Sequence, residues 1–313
     1  MTNKAQEDSS WSLGIGHWSF PGRRSLTPRY PRVLHFHRRM KLSQAILPVA
    51  GFGTRFLPWT KVVPKELLPI GNRPIIALLV DECMSVGIHD ICFVISRGKE
   101  AIPQFFYAQP QLEHELEKRG KLHLLEELTK YNNVNLHVVY QEEMKGDGHA
   151  ILQAKEWVKS DTLAILFGDD LIKGDRNGLE QLVWAFKEVG GGLNTAMLCL
   201  QDVPKKLVSK YGIVDIVPDK HLSRIKKIQG LVEKPKPEEA PSTLGIVGKY
   251  LVPRSTIDEL ARVESGHHDH EIRLIDALRA QMKKIHIYGY EFEGKRFDTG
   301  TPEGYREAVK ELG

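Results

Sequence analysis

Three observations predict an α/β fold with a mostly parallel mixed sheet and a small antiparallel elaboration. Short apolar runs at 45–49, 91–95 and 162–167 alternate with helical stretches, the pattern of strands buried on both faces. The first run breaks into a glycine turn, Ala50-Gly51-Phe52-Gly53-Thr54-Arg55, where an alternating α/β chain binds its ligand. Later the order changes, and residues 210–215 and 223–232 read as an antiparallel pair.

Residues 45–49 have the length of a buried strand. In the turn after them, Gly51 and Gly53 let the backbone approach a ligand and present its N–H groups. Arg55 can fork onto phosphate oxygens. Gly-x-Gly alone also fits a tight strand-to-helix turn. Phe56 stands where a dinucleotide fingerprint needs a third glycine, and no Gly-Lys-Ser/Thr follows, so neither that fingerprint nor a Walker loop is present. Pro58, Pro64 and Pro69 stiffen the next segment and bar a regular helix. Lys61 and Lys65 on that rigid loop suit a polyphosphate.

Residues 74–86 carry apolar side chains at 75, 76, 79, 80, 83 and 84, one helical face. Pro74 suits its first turn and Gly87 its C-terminal stop. Residues 91–95 form a second buried strand, closed by the polar turn Ser96-Arg97-Gly98-Lys99. Residues 112–131 are charged and helical, split by Gly120 into a solvated hairpin. A strand over 134–140 precedes a helix running to Val158, and the strand 162–167 ends in Gly168-Asp169-Asp170. Two carboxylates at a strand end need a cation or water; a helix cap and a magnesium site both satisfy that need.

A helix over 177–189 stops at Gly190-Gly191-Gly192, and 194–200 is a strand. By composition Glu233-Lys234-Pro235 is a stiff surface loop. Residues 243–252 form a further strand and 271–284 a helix. The run 285–292 leads to Arg296-Phe297-Asp298-Thr299-Gly300, and a last helix starts at Pro302. His267-His268-Asp269-His270 matches no common zinc spacing, and a solvated loop is expected there.

Composition narrows the class. With 313 residues, 41% of them hydrophobic, the chain can bury a large core, and no run is long enough to span a bilayer. The net charge of +4 belongs to residues 1–40, which hold seven Lys and Arg against two Asp and Glu. The body is close to neutral, which argues against a nucleic-acid partner. Residues 1–40 show no helical or strand period and are expected to be a disordered tail or a mis-assigned start, leaving 41–313 as one domain. Cys83, Cys92 and Cys199 stand far apart and fit reduced core residues of a cytoplasmic protein.

The stretch Gly51-Phe52-Gly53-Thr54-Arg55 with Pro58-Trp59-Thr60-Lys61 and Pro64-Lys65-Glu66-Leu67-Leu68-Pro69 resembles the signature of nucleotidyltransferases that make nucleotide sugars. The charged run Leu112-Glu113-His114-Glu115-Leu116-Glu117-Lys118-Arg119-Gly120 resembles an insertion of the bacterial UTP–glucose-1-phosphate uridylyltransferases, which the related thymidylyltransferases lack. The resemblance covers nearly all of 41–313 and implies a Rossmann-like three-layer nucleotidyltransferase fold. It also implies transfer of a uridylyl group from UTP to glucose 1-phosphate with Mg²⁺, giving UDP-glucose and pyrophosphate, by a homodimer or homotetramer. By resemblance, Arg55 and Lys65 hold the triphosphate, with Ala50, Gly51 and Gly53 offering backbone contacts. Gln141 reads the uracil edge, and Gly146 gives the ring room. Asp169 and Asp298 hold the metal from two strand ends. Lys234 binds the sugar phosphate, Glu233 accepts from sugar hydroxyls, and Tyr211 and Gly212 shape the sugar pocket.

Three departures stand out. Met144-Lys145-Gly146-Asp147-Gly148-His149 replaces the family's Pro-Leu-Gly-Leu-Gly-His, with Lys145 and Asp147 expected to pair at the rim. Asp269-His270 replaces Gly-Gly, and the chain ends soon after its last helix. A regulatory paralogue that binds nucleotide sugar without turnover is the alternative, but retention of Arg55, Lys65, Asp169, Lys234 and Asp298 argues against it. A transferase using another base or sugar is a third reading, opposed by the insertion.

Overall fold

Residues 42–218, 223–264 and 270–313 are described by a computed structural model. The expectations for 1–40 and for His267, His268 and Asp269 lie outside the described residues.

In chain order, β1 (Leu42–Pro48) leads through the glycine turn to β2 (Pro69–Ile70), β3 (Arg73–Pro74) and α1 (Ile75–Ser85). Next come β4 (Asp90–Ile95), the short α2 (Ala101–Gln104), α3 (Pro110–Lys118), α4 (Leu122–Thr129) and β5 (Asn135–Tyr140). The middle holds α5 (Asp147–Gln153), β6 (Thr162–Leu166), β7 (Asp170–Lys173), α6 (Gly178–Glu188) and β8 (Thr195–Asp202). Then follow β9 (Gly212–Ile216), β10 (Ile225–Glu233), β11 (Leu244–Pro253), α7 (Arg254–Leu260) and α8 (Leu274–Gln281). The chain closes with β12 (His286–Glu291), β13 (Lys295–Asp298) and α9 (Pro302–Leu312).

The described strands build a nine-stranded sheet in the order β5-β4-β1-β6-β11-β8-β12-β10-β9. Its first four strands are parallel, and β8 and β12 form another parallel pair. The sheet is mixed, as the sequence predicts, but its antiparallel part is larger than expected. The reason is β11, which lies antiparallel to both β6 and β8 inside the sheet. The pair β9–β10 is antiparallel as read from the sequence.

Alternation along β1 makes the layers visible. Ala45 and Leu47 face a core with α1, α6 and α9, while Ile46 faces a second core with α5, α7 and α8. Helix starts follow local chemistry. Asn177 and Glu180 form a capping box at α6, and the Thr301 hydroxyl accepts from Gly304 N at 3.1 Å ahead of Pro302. Pro74 caps α1 from outside its first turn, and Gly87 takes the left-handed φ of 82° after its last.

Several elements differ from expectation. The helix expected through Val158 ends at Gln153 and continues as a 3-10 turn, because the Gln44 side chain accepts from Lys159 N and Ser160 N and draws the chain to β1. The helix expected over 271–284 spans only Leu274–Gln281, since Ile272 is held by backbone hydrogen bonds to Lys145 and Gly148. The short pair β7–β13 and the helix α7 had no distinct sequence pattern.

Candidate active site

After β1, Val49 and Ala50 turn their carbonyls inward. The Lys99 ammonium donates to Val49 O at 2.7 Å, and the Ser96 hydroxyl donates to Ala50 O at 2.8 Å. Lys99 also donates to both oxygens of Glu66, at 3.1 and 3.0 Å, and both side chains are buried. Burial lowers the Lys99 pKa against the pull of Glu66. Gly53 holds φ at 65°, and its carbonyl accepts from the Thr60 hydroxyl at 2.9 Å, which folds the proline-stiffened segment back over the turn.

Beside this turn lies a cavity of about 330 Å³. Six predicted residues line it: Ala50, Gly51, Lys65, Gln141, Gly146 and Asp169. Phe52, Glu66, Met144, Asp147, Phe167 and Glu271 complete much of its wall. Gly53, Arg55, Tyr211, Gly212, Glu233, Lys234 and Asp298 stand outside that wall.

On the cavity wall Lys65 donates to Asp169 Oδ2 at 2.6 Å. Burial works against the Lys65 ammonium, but Asp169, Glu66 and Asp170 outweigh it and raise its pKa. Burial likewise disfavours the Asp169 carboxylate, and Lys65, Arg296 and Arg55 overcome this and lower its pKa. Both groups are therefore charged at neutral pH. Arg55 reaches across to donate to Gly300 O at 3.2 Å. Thr299 donates from its N and its hydroxyl to Asp169 O, at 2.8 and 3.0 Å, so the segment after β13 is tied to the segment before β7.

That tie sets Asp298 beside Asp169. A Cβ built on Gly300 would stand 2.6 Å from Asp169 Oδ2 and 3.1 Å from Asp298 Oδ1. The glycine leaves open a cradle bounded by two carboxylates. No salt bridge reaches Asp298 among the described residues, and burial and then Asp170 raise its pKa, with Asp169 adding and Arg296 opposing. Two neighbouring carboxylates, one of them without a salt bridge among the described residues, suit a divalent metal ion. No group of three or more His, Cys, Asp or Glu donors comes together among the described residues, so water or substrate would supply the other ligands.

Asp170, the neighbour in sequence, does something else. It accepts from Gly248 N at 2.8 Å and from the Arg296 guanidinium. Arg296 also donates to the Tyr211 hydroxyl at 3.2 Å and to Gln201, which links the carboxylates to the expected sugar side. There Gly212 is required by close packing, because a Cβ would stand 2.8 Å from Ile275 Cδ1 and 3.1 Å from Glu233 Oε2. Lys234 takes a left-handed φ of 46°, donates from its N to Tyr211 O, and sets its half-exposed ammonium 3.5 Å from Glu233 Oε1. Arg273 Nε lies 3.8 Å from that same oxygen.

The expected pairing of Lys145 with Asp147 at the rim of the 144–149 turn is corrected. Lys145 pairs with Glu143 and not with Asp147. Asp147 instead accepts from Leu274 N at 2.9 Å and caps α8, because the 271–274 segment packs directly on this turn. Gly146 holds φ at 94°, and a Cβ there would stand 2.5 Å from Ile272 O. Its missing side chain thus admits Ile272 as well as leaving the cavity open. Gly146→Ala is expected to cost about 1–3 kcal/mol of stability and to raise the KM for nucleotide. Thermal melts and initial rates check this; an unchanged melt and KM would mean the turn relaxes freely.

Sequence reading passed over Glu66, Lys99, Lys249, Arg273 and Arg296. One signal was present: Lys249 is the sole charge in the apolar run 244–253.

The sequence pattern of the nucleotidyl transferase family matches residues 44–313. A UTP–glucose-1-phosphate uridylyltransferase of Staphylococcus epidermidis is 38% identical over 266 residues, covering 85% of this chain and 90% of that protein. The Bacillus subtilis enzyme of the same name is 36% identical, over 85% of this chain and 89% of its own. A solved UDP-glucose pyrophosphorylase complexed with UDP-glucose superposes with a TM-score of 0.75 at 32% identity, over 86% of this chain and 98% of that one. The chain belongs to the nucleotidyl transferase family, the family of the UTP–glucose-1-phosphate uridylyltransferases it resembles.

Proposed function

We propose that this chain transfers a uridylyl group from UTP to α-D-glucose 1-phosphate, releasing pyrophosphate. The observation that carries the reading is the Lys65–Asp169 pair on a cavity that also holds the glycine turn and Gln141. In this reading a phosphate oxygen of glucose 1-phosphate attacks the α-phosphorus of UTP in line. The bond from that phosphorus to the bridging oxygen breaks, and pyrophosphate leaves with the electron pair.

The chain's own residues position and neutralise. Lys65 and Arg55 hold the triphosphate over the N–H groups of the 50–53 turn. Glu233 accepts from sugar hydroxyls. Lys234 meets the sugar phosphate by moving from its present place beside Glu233. Tyr211, held by Arg296, and Gly212 shape that side. Asp169 and Asp298 would hold Mg²⁺, which when bound offsets the charge of two polyanions. The Gln141 amide, near the base, leaves its carbonyl oxygen to accept from uracil N3–H. The three cysteines are buried and free, which suits a reduced cytoplasmic setting. A homodimer or homotetramer is the assembly that the family resemblance supports.

The purified chain is expected to release pyrophosphate from UTP plus glucose 1-phosphate and to stop when EDTA removes divalent metal. Parallel reactions with CTP, dTTP and other sugar 1-phosphates define base and sugar. Failure to turn over with every pair would replace this reading by the regulatory paralogue.

A further inference from the structure

Gln141 is buried at the end of β5, and its amide nitrogen donates to Gly146 O at 3.0 Å. A carbonyl oxygen only accepts, so this contact by itself fixes which end of the amide is the nitrogen. The same nitrogen lies 3.2 Å from His149 Nδ1, one turn into α5. On the far side of the ring, His149 Nε2 lies 3.2 Å from the Gln153 amide nitrogen, which also donates to His149 O at 3.0 Å. Two amide nitrogens therefore face the two ring nitrogens.

A neutral imidazole has one N–H and one acceptor. It can accept from only one of these amides, and the other must yield. Both amides are anchored on a backbone carbonyl, but Gln141 is buried, while Gln153 is only half-buried at the last turn of α5. With the proton on Nε2, Nδ1 accepts from the buried Gln141 amide. Burial lowers the His149 pKa and Lys145 adds to this, against the Glu143 carboxylate and a ring N–H bond to the Glu143 backbone carbonyl; the net lowering favours the neutral ring at pH 7. Gly146 O and His149 Nδ1 together use both hydrogens of the Gln141 amide.

We propose that His149 is a positioning residue for base selection: by accepting the second amide hydrogen of Gln141, it leaves only the carbonyl oxygen to meet the base. That oxygen pairs with a ring N–H, as in uracil, and repels the bare ring nitrogen that cytosine presents at the same place. The proposal rests on the reading of Gln141 as the residue next to the base.

The test is the ratio of kcat/KM for UTP over CTP, with glucose 1-phosphate as acceptor. Gln141→Ala is expected to lose most of the preference. His149→Leu, which removes the acceptor, is expected to lower the ratio about fivefold through the KM for UTP, with kcat kept. His149→Asn places an oxygen near the Nδ1 position and is expected to restore the ratio, and Gln153→Ala to leave it unchanged. His149→Phe carries the same test should His149→Leu not fold, as judged by a thermal melt. If Gln141→Ala keeps the wild-type ratio, base recognition lies elsewhere and the reading of Gln141 falls. If Gln141→Ala loses the ratio while His149→Leu or His149→Phe keeps it, only the role of His149 falls. An Asn variant that behaves like Leu would overturn it too.

Discussion

Asp298→Asn is expected to cut pyrophosphate release by about 10²–10³-fold, the scale of removing one preorganised electrostatic contact, with little change in melting temperature. The reason lies in what surrounds the carboxylate. It accepts from Gly300 N at 3.1 Å, and no salt bridge reaches it among the described residues. Its pKa is raised in the fold, so ionised Asp298 costs stability above its folded pKa, and the neutral amide removes that cost. Activity and stability should thus separate. Asp169→Asn should not separate them, because it leaves the Lys65 ammonium without its 2.6 Å partner. The measurements are kcat at saturating Mg²⁺, the Mg²⁺ concentration at half-maximal rate, and a thermal melt. Near wild-type turnover at limiting Mg²⁺ would remove Asp298 from the metal site.

Lys249→Met is expected to cost about 3–5 kcal/mol of stability, the scale for leaving one member of a buried ion pair alone. Lys249 is fully buried in β11, and its ammonium donates to Glu82 Oε1 and to Asp170 O, both at 2.9 Å. Glu82, also buried, accepts from Leu179 N at 3.1 Å in the first turn of α6. The pair therefore joins α1, α6, β7 and β11 beneath the carboxylate that faces the cavity. Gly178 is part of the same fit, since a Cβ there would stand 2.5 Å from Lys249 Cε. Adding Glu82→Leu should recover part of the loss by removing the stranded charge, and only part, because Leu179 N and Asp170 O lose their partners. Urea unfolding with an unchanged slope checks both. A single variant within about 1 kcal/mol of the parent would show that Glu82 takes up a proton cheaply in place of the pair.

Much of the frame was legible because its cause is local. A β-strand alternates faces at every residue and a helix closes a face every third or fourth, so apolar spacing alone marks β1, β4, β6 and α1. Turn chemistry is local too, which is why Gly87, Gly120 and Asn177 marked ends that the fold keeps. The helix over 271–284 was over-read for the complementary reason. Residues 271–273 have helical composition, yet the turn at Gly146 and Gly148 captures them first. Propensity cannot register a competitor 125 residues away.

The sequence by itself determined that this is an alternating α/β chain with a glycine turn after its first strand, two prolines framing Lys65, and carboxylates after a buried strand. Only the tertiary structure decided what those charges do. Asp169 and Asp170 are adjacent and chemically alike, and no spacing distinguishes them. Successive side chains near the start of a strand point to opposite sides, so one faces Lys65 and the cavity while the other faces Gly248 and Arg296. The partners of Glu66, Lys249 and Arg296 follow from strand order, which brings distant segments together. A charge buried by that order is stable only where a counter-charge is brought with it, and that condition is met in space and not along the chain.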